Sequence, residues 1–199
     1  MDPTTFSFPT SAFPPLALGF FGLGTGYLIY GPQELFGFPK RVGTVDRSTG
    51  IWGVWMPGFC QLVTGVYLFV GLAWFHSFSA GPLYDAALAF SAYGIHWFAI
   101  GINRMMGHDS TPNAFMAVAF TFISILGIIV FGVAGDVPVT LLFAGLTCIY
   151  LSDIFASFKI KLGEQSLGLF HLLTGFWLIY LMFAATLNFS LPTHFHLWL

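Results

Sequence analysis

The residues of this sequence that could do chemistry are polar and titratable side chains set inside long apolar runs. In "AFSAYGIHWFAIGINRMM", Ala89 to Met106, His96 stands three residues after Tyr93 and one before Trp97. An imidazole titrates close to neutral pH, so His96 could sense or relay protons; the alternative is a neutral histidine hydrogen-bonded to a neighbouring helix. His171 reads the same way, with the structural bond favoured. Asp153, in "LTCIYLSDIFASF", lies about one turn from a basic loop and at helical spacing shares a face with Leu146 and Tyr150. It either lines a path or pairs with a base such as Lys159. Gln61 sits mid-run and needs partners, which a polar pore wall or an interhelical bond would supply. His194 and His196 form a His-x-His pair in "LPTHFHLWL" without an apparent third ligand, so that tail reads as an interfacial segment anchored by Trp198 rather than a metal site. No nucleophile–base pair, HExxH, phosphate-gripping Gly loop or pair of intramembrane carboxylates is present. The chain is expected to move or hold something rather than to be an enzyme, with no cofactor and no metal.

The elements that must position these residues are membrane helices. Of 199 residues 57% are hydrophobic and 7% charged, with a mean hydropathy of +0.84, whereas soluble domains carry roughly 25% charged residues. The net charge of −2 gives no signal for nucleic acid. A hydrocarbon core of about 30 Å asks for about 20 apolar residues per helix. Six runs satisfy this, at roughly 15–33, 51–75, 85–106, 114–134, 137–158 and 167–188, which predicts one all-α domain over 1–199. The breaks, from "YGPQELFGFPKRVGTVDRSTG" to the tight "GDVP", are rich in turn residues. Lys40, Arg41, Arg47, Arg104, Lys159 and Lys161 all fall in or beside the loops after the first, third and fifth runs. By the positive-inside rule both termini face outward, and a prokaryotic cytoplasmic (inner) membrane suits such a chain. "MDPTTFSFPTSAFPP" lacks a basic n-region, so the first run is expected to be retained. Gly22 and Gly26, and Gly58 and Gly65, are spaced for close helix packing, though glycine runs also leave room for a narrow pore. Cys60 and Cys148 suggest neither a disulfide nor zinc.

"AFSAYGIHWF" resembles the aromatic Tyr-Gly-x-x-Trp signature of the succinate/acetate permease family (AceTr, YaaH-type) through Phe90, Tyr93, Gly94 and Trp97. "PPLALGFFGLGT" is similar to that family's first-span motif at Pro15, Leu16 and Leu18, with Phe21 and Gly22 following in register, but departs from it at Ala12, Phe13 and Ala17. "PGFCQLVTG" matches its Gly-x-x-Gln-x-x-x-Gly pattern at Gly58, Gln61 and Gly65, and "PNA" at Pro112 to Ala114 also has a counterpart. The resemblance implies a six-helix protomer in a homohexameric ring, each protomer with its own path for acetate or a similar monocarboxylate. It also implies a constriction formed by Phe21, Tyr93 and Leu146, where Tyr93 would offer a hydroxyl to a passing acid. Gln61, His96, Trp97, Asn103, Tyr150 and Asp153 are the further path-lining or proton-linked candidates.

The placement of the basic loops and the termini is instead that of the amide/urea channel family (UreI and AmiS type). "WFAIGINRMMGHD" and "DIFASFKIKLGEQ" resemble stretches of that family, which makes Asn103 and Asp153 informative and a small neutral amide the alternative solute.

Overall fold

In the computed structural model, which describes residues 15–192 and 194–199, the described chain is helical without strands. Six rods follow one another: α1 (Leu16–Leu35), α2 (Gly43–Ala73), α3 (Pro82–Met106), α4 (Thr111–Ala134), α5 (Val137–Ser157) and α6 (Lys161–Ser190). Four of them, α2, α4, α5 and α6, are long and apolar enough to cross a membrane by length and composition. The other two, α1 and α3, carry the polar residues Glu34, His96, Asn103 and Arg104 that line a polar cavity. Large apolar side chains such as Trp52, Trp55, Phe115, Phe122 and Phe176 lie exposed on the outside, as suits a lipid-facing surface.

Helix ends follow local chemistry. Met106 and Ala134 are succeeded by Gly107 and Gly135 at φ 69° and 77°, left-handed positions that glycine adopts without a Cβ penalty. Asp136 caps α5 by accepting from the Val139 amide at 3.0 Å, with Pro138 in the first turn, so "GDVP" makes the tight hairpin its composition predicts. The first connection differs from expectation, because α1 continues through Pro32 to Leu35 and α2 begins at Gly43 rather than near residue 51. Tertiary bonds override the turn-like composition there: Gln33 Nε2 donates to Thr49 Oγ1 at 2.9 Å, and Asp46 receives Arg104 Nε at 2.9 Å. Pro57 is absorbed by one π-helical turn, Val54–Phe59, within α2.

Glycines bring the rods together. A Cβ on Gly94 would run into the Leu62 amide and the Gly58 carbonyl, so α2 and α3 meet backbone to backbone there. Gly22 and Gly26 bring α1 against Met56, Pro57 and Cys60 in the same way, so close packing rather than pore space accounts for these glycines. The C-terminal tail folds back onto α6: Asn188 bonds both the Leu197 amide (2.7 Å) and its carbonyl (2.8 Å), and Trp198 packs edge-on against Trp177. The chain therefore runs up and down, with the starts of α2, α4 and α6 and all the basic residues at one end. The start of α1 and the end of α6 lie at the other.

Candidate functional site

Two cavities enter the bundle from opposite ends. The first, of about 270 Å³, is apolar and lies between the starts of α1, α3 and α5 and the end of α4. Leu16, Phe20, Leu23, Ala86, Phe90, Phe143 and Leu146 form its wall, and Gln61 and Tyr93 add polar groups. The second, of about 540 Å³, opens at the basic end and is polar, with Tyr27, Glu34, His96, Trp97, Tyr150, Asp153 and His171 deep in it. A layer of rings separates them. Tyr93, on the apolar side, stacks at 5.5 Å between centroids on Tyr150, on the polar side, and Phe120 packs against both at 5.5 and 5.3 Å. Helical spacing on α5 puts Leu146, Tyr150 and Asp153 on one stripe that runs from one cavity to the other.

The hydrogen bonds in this layer fix what Tyr93 can offer. Ser124 donates its one hydroxyl proton to the Phe120 carbonyl at 2.9 Å, so in the 2.9 Å bond between Tyr93 and Ser124 the tyrosine is the donor. What remains on the Tyr93 oxygen is acceptor capacity. A solute that bonds it must therefore donate, as a protonated acid or an amide does and a carboxylate does not. Gln61, 0% exposed, has neither its amide nitrogen nor its oxygen partnered among the described residues, so it offers donor and acceptor side by side where it lines the apolar cavity.

The structure distributes the expected site residues between the two cavities and the outer surface. Tyr93 and Leu146 come together at the inner end of the apolar cavity. Phe21 does not: its side chain is 42% exposed on the outer face of α1, while Phe20, 2% exposed and 5.8 Å from Phe90, lines the cavity. One residue is about 100° of helical turn, which carries the next side chain off the lining face. His96, Trp97, Asn103, Tyr150 and Asp153 all line the polar vestibule. His96 Nδ1 lies 3.4 Å from the Tyr150 hydroxyl, and its Nε2, like Trp97 Nε1, has no partner among the described residues. Asn103 Oδ1 meets His108 Nδ1 at 3.2 Å at the rim. Asp153 accepts from Ser157 at 3.0 Å rather than pairing with Lys159, which reaches Asp109 instead at 3.6 Å. Ala12 and Phe13, two of the departures in the first-span motif, lie outside the described residues.

Glu34 was not legible as a site residue because its segment read as a loop. It holds His171 Nδ1 at 2.5 Å, and Tyr27 stacks on the His171 ring at 4.5 Å. Around the rim the charges are paired: Arg104 with Asp46 and Gln33, and Arg41 with Asp46 at 3.4 Å and Glu164 at 3.6 Å. Arg104 also stands 4.6 Å over the Tyr30 ring. In the loop before α4, bonds from the Thr111 hydroxyl and amide, with Lys159 beside it, hold the Asp109 carboxyl below the usual range.

No protein-family model matches the chain, and no curated protein matches it. Among solved structures it is similar to the bacterial acetate channel SatP, with a TM-score of 0.69 and 17% identity over 92% of this chain and 96% of that one. At that identity the likeness establishes a shared fold, spanning nearly the whole of both chains.

Proposed function

We propose that the chain is a membrane transport protein that passes acetate or a similarly small monocarboxylic acid through each protomer, with the acid crossing in its protonated form. The observation that carries this reading is the pair of cavities entering from opposite ends and meeting at Tyr93 and Leu146, in a fold shared with an acetate channel. Phe20 takes the place of Phe21 in the constriction. Taking an unpaired carboxylate through such a layer costs several kcal/mol or more, whereas a neutral acid loses about 1–3 kcal/mol per unpaired polar group and recovers part of it at Tyr93 and Gln61. The reading includes six membrane spans, a homohexamer, both termini outside and a prokaryotic inner membrane as the setting.

A small neutral amide is the second reading, because the Tyr93 oxygen and the Gln61 carbonyl would accept its N–H groups equally well. The deciding experiment is uptake of labelled acetate and labelled urea by liposomes holding the purified protein, at pH 5 and pH 7, with empty liposomes subtracted. Acetate uptake that falls about tenfold or more from pH 5 to pH 7, as the neutral fraction of an ordinary carboxylic acid does, is the expected result. Urea uptake without acetate would replace the first reading by the second.

A further inference from the structure

The floor of the polar vestibule gathers carboxyl groups and no Lys or Arg, although every Lys and Arg of the chain lies at its end of the molecule. From α1 the floor receives Tyr27 and Glu34, from α3 His96 and Trp97, from α5 Tyr150, Asp153 and Ser157, and from α6 His171. No Lys or Arg is among them. The cations at the rim are already engaged: Arg104 with Asp46 and Gln33, Arg41 with Asp46 and Glu164, Lys159 with Asp109. His171 is bonded to Glu34, whose side chain is 9% exposed, and sets a positive charge against it when protonated. Asp153 lies within electrostatic reach of Glu34 and His171, and its bonded neighbour Ser157 is neutral. With His171 protonated the Glu34, Asp153 and His171 group carries one net negative charge; with His171 neutral it carries two.

A second observation points to a solute at this floor. His96 and Trp97, 7% and 2% exposed, line the vestibule, and the His96 Nε2 and Trp97 Nε1 atoms have no partner among the described residues. Trp97 can only donate. The Asp153 and Glu34 carboxylates can only accept while ionised. A molecule with both a donor and an acceptor satisfies these groups together. An anion can find donors there, at Trp97 Nε1 and the Tyr27 hydroxyl, but it also meets the two carboxylates in surroundings of lowered dielectric.

We propose that Glu34 and Asp153 make the floor of the polar vestibule an anion filter, so that a small solute passes this end of the protein only in an uncharged form. The inference rests on the proposed path for small acids, and it adds, at the vestibule, a barrier to their ionised form beside the one at the Tyr93 and Leu146 layer.

The test uses nitrate, a small planar anion that has no protonated form near neutral pH. The full-length protein is placed in planar bilayers at pH 7.5 and nitrate current is recorded for wild type, Asp153→Asn and Glu34→Gln/Asp153→Asn, each first checked for an unchanged size-exclusion profile. Wild type is expected to pass only a small nitrate current above a protein-free bilayer. Asp153→Asn is expected to raise it by at least about tenfold, and the double variant further, in keeping with loss of a like charge at short range. Asp153→Asn decides alone where the double variant does not fold. A wild type that already conducts nitrate as well as the variants, or variants as impermeable as wild type, would overturn the filter. Labelled acetate uptake by the same wild-type preparation separates the two proposals. Nitrate current in the variants without wild-type acetate uptake keeps the filter and removes the acid, whereas acetate uptake with nitrate-tight variants does the reverse.

Discussion

Tyr93 is where the chemistry of single residues decides what can cross. Its hydroxyl proton is committed to Ser124, whose own proton is committed to the Phe120 carbonyl, so the tyrosine meets a solute as an acceptor. Tyr93→Phe removes one hydrogen bond to a donor-bearing solute. At about 0.5–1.5 kcal/mol for such a bond, the initial rate of acetic acid uptake should fall roughly two- to tenfold. Equal rates in liposomes would mean the hydroxyl plays no part. Asp109 supplies a pH effect with a definite sign. Its carboxyl titrates lower in the folded chain than in the unfolded one, because the charged form accepts both Thr111 bonds and faces Lys159. Its support for the start of α4 is thus complete above about pH 4, the ordinary aspartate range, and is lost as pH falls through the lowered value. Hydrogen exchange at the first amides of α4 should be slow at pH 6 and accelerate, relative to its intrinsic rate, in Asp109→Ala. Much of this scale was legible in the sequence. His96, Trp97, Tyr150 and Asp153 stood out as polar groups in apolar runs, and each lines the vestibule. Phe21 was misplaced because "FF" in a helix that is apolar on every side gives no periodicity to choose between Phe20 and its neighbour.

At the scale of elements, the bundle depends on helices that approach more closely than side chains normally permit. Gly94 stands one residue after Tyr93, so the turn that aims the tyrosine at the path also presses α3 against α2. Gly94→Val must push Leu62 and Gly58 aside, and overpacking of this kind costs about 1–3 kcal/mol. The thermal transition of the detergent-purified protein should drop by several degrees, and an unchanged transition would show that the contact is slack. The Gly spacing, the "GDVP" hairpin and the glycine helix ends were readable because they follow local rules. The extension of α1 and the early start of α2 were not. Pro32, Gly37, Pro39 and Gly43 look like a loop, and the bonds that hold Asp46 and Gln33 in helices come from Arg104, distant in sequence, and from Thr49. That loop reading is also what hid Glu34.

At the scale of the whole molecule, the alternation of rods puts the start of α1 and the end of α6 at the end away from the Lys and Arg residues. In a variant lacking Cys60 and Cys148, a cysteine at Trp198 should react with an impermeant maleimide added to intact cells. One at Lys40 should react only after the membrane is opened. The reverse pattern would turn the protein over and place the anion filter on the outer side. The same alternation puts the apolar cavity and the polar vestibule in series, with the Tyr93, Leu146 and Tyr150 layer between them. In the proposed path the solute crosses that layer within a single chain. Leu146, 2% exposed at the inner end of the apolar cavity, is the place to close it. The measurement is labelled acetate uptake at pH 5 by liposomes of Leu146→Trp beside wild type, at matched protein content and with matching size-exclusion profiles. Uptake reduced to the level of empty liposomes is the predicted result; uptake equal to wild type would contradict a path through the protomer.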